Sequence, residues 1–180
     1  MSGFAVWIMG LLAIDTPHLI LAGSDGQNHS LPQLIQSSPW TVLVFFSADC
    51  PCQRNHDGRL TEMAQSFAGR GVQFFAVDSE VTSTPEKDAA EAASRHYVYP
   101  ILRDTSGQLA RAFEVEFATT TVVLDSKGAV HYQGGIDSNH HTVTAGATRF
   151  LRDALSALLL GVEPTVRESK PMGCYLRLKQ

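Results

Sequence analysis

The chain has 180 residues, of which 44% are hydrophobic and 18% are charged. This size and composition favour one folded domain with a substantial core, and they exclude a largely disordered chain or a coiled coil. The 14 Lys and Arg residues against 18 Asp and Glu residues give a formal net charge of −4. A nucleic-acid-binding protein would normally carry a basic face, so we expect no nucleic-acid partner.

The longest apolar segment lies near the N-terminus, at Gly3–Ile14. Its twelve residues are too few to cross a bilayer, although they have the length of a signal-peptide core. No basic residue precedes the segment, since the first is Arg54. Two interpretations stay open: an element packed on the domain, or the remnant of an export signal or membrane anchor. Membrane association is expected only through this segment, and we favour an extracytoplasmic over a cytoplasmic location.

The middle of the chain alternates strand and helix patterns. Trp40–Phe46 and Val72–Val77 are short apolar runs rich in β-branched and aromatic residues, which is typical of buried strands. Between them, apolar residues recur at helical spacing from Leu60 to Phe67. A strand, a helix and a strand in this order predict a right-handed βαβ unit whose two strands are adjacent and parallel.

The second half of the chain continues this alternation with shorter elements. In chain order, the predicted elements are a helix over 85–96, a strand over 99–102, a helix over 106–113, a hairpin of 121–125 with 129–133, and a helix from 151 to 161. We expect Thr121–Leu124 to be a third central strand. The residues after Gly161 show little periodicity and form a predicted tail.

Cys50 and Cys52 lie where the strand ending at Phe46 gives way to the following helix. The free N–H groups and dipole of a helix N-terminus stabilise a thiolate, which is the attacking species in thiol–disulfide exchange. Pro51 suits the first helical turn because its φ is preset and it has no N–H group to satisfy. Asp49 acts in the opposite direction, because a carboxylate disfavours a neighbouring thiolate. We interpret the two cysteines as a redox pair rather than as small buried hydrophobic residues.

The residues around this pair resemble a known family. Phe45–Cys52, with its flanking elements, resembles the redoxin branch of thioredoxin-like proteins, the TlpA/ResA type that overlaps the peroxiredoxin-like set. Weaker matches follow the same order at residues 15–26, 74–80, 100–104 and 119–125. The resemblance implies an α/β thioredoxin-like fold: a central mixed sheet flanked by helices, with an N-terminal hairpin extension and an inserted αβ element. It implies a redoxin domain at residues 1–161, with its core at about 14–161, and a C-terminal tail at 162–180.

The chain departs from this family at two places. The usual Cys-x-x-Cys spacing is replaced by Cys-x-Cys, whose disulfide would close a ring of about eleven atoms instead of about fourteen. A tighter ring is more easily reduced, which favours oxidising or isomerising partners over reducing them. Thr119 stands where the family carries a cis-proline. A cis bond before a non-proline residue costs about 3 kcal/mol, so we expect the Ala118–Thr119 bond to be trans.

The resemblance also implies roles for the site residues. Cys50 would attack through a mixed disulfide and Cys52 would resolve it, and the turn position predicts that Cys50 is the more accessible thiol. Glu80, just past the second strand, is a candidate to exchange a proton with the second thiol, with Asp78 in reserve. The alternative for Glu80 is a solvated loop acid.

A third cysteine, Cys174, lies in the tail after Gly173. Pro and Gly nearby permit a close approach of the backbone, and Met172, Tyr175 and Leu176 are apolar groups that could dock. We expect the tail to be ordered on the domain surface. Cys174 is then either a third thiol returned to the Cys50 turn, as resolving thiol or metal ligand, or an incidental thiol.

The leading functional hypothesis is a thiol–disulfide oxidoreductase without a cofactor, acting on protein thiols or disulfides or on a redox partner protein. A peroxiredoxin-like peroxidase is one alternative: Ser47 takes the place of the threonine before the attacking cysteine, although Leu43 replaces the usual proline. Another is a copper- or other metal-binding module using Cys50, Cys52 and His56, because thiolates and imidazole suit Cu(I) or Zn(II). Otherwise His56 is expected to be an exposed helix residue.

Overall fold

The computed structural model describes residues 18–139, 141–142 and 144–179. The Gly3–Ile14 segment lies outside them, so both interpretations of it, and the expected location of the protein, stay predictions. None of the described helices is long and apolar enough to cross a membrane.

Within the described residues, seven strands form one mixed sheet, with five helices around it. The strands are β1 (Ile20–Gly23), β2 (Asn28–Ser30), β3 (Trp40–Phe46), β4 (Val72–Asp78), β5 (Ile101–Arg103), β6 (Thr121–Asp125) and β7 (Val130–Gly134). The helices are α1 (Leu31–Gln36), α2 (Pro51–Phe67), α3 (Pro85–Ser94), α4 (Gln108–Ala112) and α5 (Phe150–Leu159). The strand order is β2-β1-β5-β4-β3-β6-β7. This is the mixed sheet, with hairpin extension and inserted element, that the sequence predicts.

The predicted βαβ unit is confirmed at the centre of the sheet. β3 and β4 pair in parallel, with Trp40 opposite Val72 and Phe46 opposite Asp78. β6 pairs antiparallel with the other edge of β3. The carboxyl end of β3 therefore leads directly into the turn that carries the cysteines.

The sheet is covered on both faces. Along β3, Val42, Val44 and Phe46 join the core cluster that includes side chains of α2 and α5, whereas Leu43 and Phe45 join the one that includes α1 and α4. Alternate residues of a strand point to opposite faces, so an uninterrupted apolar run is what a strand buried on both faces requires.

Element boundaries differ from the sequence prediction mainly for the short pieces. β5 begins at Ile101 rather than Tyr99, and α3 ends at Ser94 rather than His96. The six-residue helix α1 had no predicted counterpart, because so short an element shows no helical periodicity.

The tail lies on the domain, as its apolar residues predict. Its first part runs beside β7: the Gln133 N–H donates to the Arg167 carbonyl at 2.9 Å, and the Ser169 N–H donates back to the Gln133 carbonyl at 3.2 Å. Its second part pairs with the segment before β6 through an antiparallel bridge between Phe117 and Tyr175. Leu176 is buried in the same core cluster as Cys50.

A buried ion pair contacts the loop that leads from β3 into the cysteine turn. Arg95, whose side chain is 2% exposed, lies 2.7 Å from Asp57 of α2 and 2.6 Å from Glu91 of α3. Its Nη2 donates to the carbonyl of Ala48 at 2.8 Å, two residues before Cys50. The Arg95 guanidinium therefore ties α2, α3 and the loop that enters the cysteine turn together.

Replacing Arg95 should be costly for stability. Arg95→Met leaves the Asp57 carboxylate buried without its partner, which should lower the free energy of unfolding by about 3–5 kcal/mol. The matched control is Arg54→Met, whose exposed guanidinium pairs with Glu91 at 3.5 Å and should cost less than about 1 kcal/mol. Urea unfolding of both variants measures the difference, and equal losses would contradict a special role for Arg95.

Candidate active site

The cysteine motif occupies the start of α2, as the sequence predicts. Cys50 is the N-cap residue with an extended backbone, at φ −86° and ψ 113°, and Pro51 begins the helix. The Cys50 N–H donates to the Ser47 carbonyl at 3.3 Å, and the Cys50 carbonyl accepts from the Arg54 N–H at 3.4 Å. The turn is therefore closed by its own backbone hydrogen bonds, and the Cys50 side chain is buried.

The expected order of exposure of the two thiols is wrong. Cys50 is fully buried, whereas Cys52 and Cys174 are both partly exposed. Cys50 belongs to the core cluster that also contains Ala118 and Leu176. The reason is the tail: it returns across the turn and covers the residue that would otherwise face solvent.

All three cysteines are free thiols, and they form one cluster centred on Cys50. The backbone N–H of Cys174 donates to Cys50 Sγ at 3.3 Å. The thiols of Cys52 and Cys174 also lie close enough to Cys50 to interact with it electrostatically. The structure thus brings together the three cysteines that the sequence singles out.

The surroundings of the cluster raise the pKa of two of its thiols, those of Cys52 and Cys174. The hydrogen bond to Cys50, together with burial, raises the pKa of the Cys174 thiol to about 11. Burial, followed by the proximity of Cys50, raises the pKa of Cys52. Both thiols therefore keep their protons at neutral pH.

The backbone around Cys174 is fixed by close contacts with the segment before β6. The Ala118 N–H donates to the Cys174 carbonyl at 2.9 Å, and the Leu176 N–H donates to the Glu116 carbonyl at 2.8 Å. A Cβ atom on Gly173 would lie 1.8 Å from the Ala118 carbonyl oxygen, so only glycine permits this approach.

Glu80 is buried, so it is not the solvated loop acid of the alternative interpretation. Its side chain is 2% exposed and pairs with Arg177 of the tail at 2.6 Å. The same Nη2 of Arg177 lies 2.6 Å from Asp49, whose pKa is lowered by that hydrogen bond and by Lys87. Glu80 is also near enough to Cys174 to contribute to its raised pKa. Arg177 therefore neutralises both acids that flank the thiol cluster.

Arg177 was not identified from the sequence. Its one signal is a position three residues after Cys174. A basic residue in an aperiodic tail is ordinarily solvated, and its acidic partners come from two other loops.

Asp78, the reserve acid, ends β4 inside the protein. Its Oδ1 accepts the Glu80 N–H at 2.9 Å, and its carboxyl is hydrogen-bonded to that of Asp88. Burial, with the nearby acids Asp88 and Glu80, raises the pKa of Asp78 to about 8. Asp78 thus holds a proton through most of the neutral range.

His56 is buried, so the expectation of an exposed helix residue is wrong. Its Nδ1–H donates to the Cys52 carbonyl at 2.7 Å, and its Nε2 lies 3.8 Å from Asp137. Burial lowers its pKa. The imidazole therefore links α2 to the loop after β7. Over residues 18–139, 141–142 and 144–179, no group of three or more His, Cys, Asp or Glu is placed to hold a metal ion, so the set of Cys50, Cys52 and His56 is not assembled as a metal centre.

Thr119 lies against the tail at the point where the family carries a cis-proline. The Ala118–Thr119 bond is trans, as expected, since the described residues contain no cis peptide bond. Thr119 has a left-handed backbone with φ 66°, and its N–H donates to the Phe45 carbonyl at 2.8 Å.

The sheet order and the cysteine motif at the β3–α2 turn define the chain as a thioredoxin-like redoxin. The profile of the AhpC/TSA family matches residues 14–133, which is more than half of the chain. The chain therefore belongs to the AhpC/TSA family, and it is an oxidoreductase. No curated protein matches it.

Solved structures share this fold. An uncharacterized conserved protein from Geobacillus kaustophilus is 25% identical, with 91% of this chain and 90% of that chain covered and a TM-score of 0.80. Peroxidoxin BcpB from Mycobacterium tuberculosis is 24% identical, with 62% and 77% covered and a TM-score of 0.55. A secreted disulfide oxidoreductase from Mycobacterium tuberculosis, homologous to E. coli DsbE, is 15% identical, with 63% and 80% covered and a TM-score of 0.54.

A side chain at Gly173 should uncover Cys50. In Gly173→Ala the new methyl group would collide with the Ala118 carbonyl, so the tail must shift. Losing the local hydrogen bonds costs about 1–2 kcal/mol, and we expect alkylation of Cys50 to become roughly tenfold faster. The control is Gly146→Ala, where nothing lies within 4 Å of the added Cβ. Mass spectrometry of iodoacetamide-labelled protein reads the rate, and an unchanged rate would show that the tail does not limit access.

Asp78 should make stability fall as pH rises. Its folded pKa of about 8 lies above the ordinary aspartate pKa of 3.8, so between these values the unfolded state has lost a proton that the folded state retains. The free energy of unfolding therefore decreases over this range. Asparagine cannot titrate, so the free energy of unfolding of Asp78→Asn relative to that of the natural chain should rise from about pH 5 to about pH 8 in urea unfolding. Asp153→Asn, at an exposed site, should show no such trend, and a constant difference for Asp78→Asn would contradict the assignment.

Proposed function

We propose that the protein is a thiol–disulfide oxidoreductase in which Cys50 is the attacking thiol and Cys52 resolves the mixed disulfide. The observation that carries this proposal is the cluster of three free cysteines at the start of α2, where Cys50 is the N-cap residue and the Cys174 N–H donates to its Sγ at 3.3 Å. Disulfide exchange needs an attacking thiol with a second thiol beside it to resolve the mixed disulfide, and Cys52 lies two residues after Cys50.

The reaction balances as a two-electron exchange. The Cys50 thiolate attacks one sulfur of a substrate disulfide, a Cys50–substrate bond forms, and the other substrate sulfur leaves as a thiolate that takes up a proton. Cys52 then loses its proton and attacks Cys50 Sγ, which releases the second substrate thiol and leaves a Cys50–Cys52 disulfide. Because the pKa of Cys52 is raised, this second step needs a base. The buried carboxylate of Glu80 is our candidate for it.

The surroundings of the site suit a protein substrate. Tyr175 is 71% exposed, and its ring packs on that of Phe117 with 4.3 Å between centroids. Tyr175 directly follows Cys174 and Phe117 is half-buried beneath it, so an extended apolar segment could dock here beside the thiols. Because Cys50 is fully buried, attack on such a segment requires the tail around Cys174 to open first.

Disulfide exchange can be measured with a fluorescent disulfide-bonded peptide and dithiothreitol as the reductant. We expect Cys50→Ser to lose turnover, because no thiol remains at the centre of the cluster. With Cys174 also replaced by serine, Cys52→Ser should accumulate a Cys50–peptide mixed disulfide under conditions that leave none on the natural chain. Arg167→Gln, which alters an exposed ion pair with Glu163, is the control for the assay. Full turnover by Cys50→Ser would refute the proposal.

A peroxidase is the second candidate, because the chain belongs to the AhpC/TSA family and shares its fold with a peroxidoxin. Ser47, in the position of the peroxidase threonine, is buried beside the turn. Stopped-flow measurement of hydrogen peroxide consumption separates the two functions. We expect slow consumption, because peroxide must reach a covered sulfur. Rapid consumption with a sulfenic acid trapped at Cys50 would favour the peroxidase instead.

A further inference from the structure

We propose that Cys174 is a second redox partner of Cys50, so that oxidised protein carries a Cys50–Cys174 disulfide that fastens the tail over the site. This inference rests on the proposed exchange activity and extends it by one thiol. It makes Cys50 a central sulfur that can pair with either of two neighbours.

The position of Cys174 is the first argument. Its backbone N–H donates to Cys50 Sγ at 3.3 Å, and its thiol lies close enough to Cys50 to interact with it. The contact places the backbone of Cys174 directly against the sulfur with which its thiol would bond. The backbone hydrogen bonds to Ala118 and Glu116 hold Cys174 at this place. A thiol in a loose tail would lack these attachments.

The second argument compares the two partners of Cys50. Cys52 is separated from it by one residue, so their disulfide must close a small ring whose geometry is constrained. Cys174 comes from a distant part of the chain and approaches Cys50 from across the turn, so its side chain is free of that ring constraint. Both partners use the same sulfur of Cys50, so only one of the two disulfides can exist at a time.

The step balances as follows. In the mixed disulfide between Cys50 and a substrate, the thiol of Cys174 loses its proton and its sulfur attacks Cys50 Sγ. A Cys50–Cys174 bond forms, the bond from Cys50 to the substrate breaks, and the leaving substrate thiolate takes up a proton. Two cysteines of the chain are oxidised and one substrate disulfide is reduced to two thiols. Cys52 can then attack Cys50 and free Cys174, and a dithiol reductant returns the protein to the starting state.

Arg177 is the positioning residue for this step. It lies three residues beyond Cys174 and is held at 2.6 Å from both Glu80 and Asp49, on the elements that flank the thiol cluster. The Val81 N–H also donates to the Arg177 carbonyl at 2.9 Å. These contacts fix the part of the tail that follows Cys174, as Gly173 fixes the part that precedes it.

The test is disulfide mapping of the full chain. Reduced protein is treated with oxidised glutathione, quenched with an alkylating reagent and digested for mass spectrometry. For Cys52→Ser we expect the glutathione on Cys50 to be displaced and an intramolecular Cys50–Cys174 disulfide to form. For Cys174→Ser we expect Cys50–Cys52 alone. The same Cys52→Ser protein in concentrated urea should keep its glutathione far longer, because unfolding removes the contact between Cys50 and Cys174.

Two outcomes would count against the inference, and they are distinguishable. If Cys52→Ser holds glutathione on Cys50 indefinitely while the natural chain turns over disulfides, Cys174 is not a partner and the proposed function stands. If Cys50 of the natural chain takes up no glutathione and no exchange is measured, the proposed function fails and this inference fails with it.

A further variant tests positioning. In the Cys52→Ser background, Arg177→Gln should slow formation of the Cys50–Cys174 disulfide by roughly tenfold, the effect of losing one charge-assisted hydrogen-bonded anchor. Arg177→Lys should restore part of the rate, and Arg167→Gln should leave it unchanged. In the Cys174→Ser background, Arg177→Gln should slow the Cys50–Cys52 bond by a clearly smaller factor, because only the pairing with Glu80 is lost there and not the placement of a thiol. Equal slowing of both disulfides would assign Arg177 a general structural role and contradict positioning.

Discussion

The hydrogen bond from the Cys174 N–H to Cys50 Sγ is the contact on which the architecture of the site depends. It joins the start of α2 to a segment near the end of the chain, and it exists only because Gly173 lets two backbones meet. Through it, a thiol at a helix N-terminus becomes a buried sulfur beside a backbone donor of the tail.

Two groups of buried ionisable side chains lie near the cysteine turn, and they affect stability in different ways. Arg95 forms an ion pair with Asp57 and donates a hydrogen bond to the Ala48 carbonyl, so its charge is compensated at close range. Asp78 lies next to Asp88, a like charge, and burial raises the pKa of both acids. The first arrangement stabilises the fold through paired charge. In the second arrangement Asp78, at the end of β4, keeps its proton, so the stability of the fold depends on pH.

Burial of the central thiol has a consequence for reactivity. Cys50 is fully buried, so its sulfur is protected from alkylating agents until the tail moves. The partly exposed thiols of Cys52 and Cys174 retain their protons, since both have raised pKa values, and are therefore weak nucleophiles at neutral pH. Exposure to solvent thus belongs to Cys52 and Cys174, and opening of the tail would extend it to Cys50.

The sequence by itself determined the frame of this protein. The apolar runs of β3 and β4, the helical face of α2 and the Cys-Pro-Cys turn are local patterns, so the parallel βαβ unit and the place of the motif followed from them. The exposure of Cys50, the burial of His56 and the role of Arg177 were decided by the tertiary structure. Each depends on a segment remote in the chain: the tail over Cys50, the Asp137 loop beside His56, and the loops that bring Glu80 and Asp49 to Arg177. Local periodicity describes which face of an element is apolar, but only the folded chain shows which distant residues cover it.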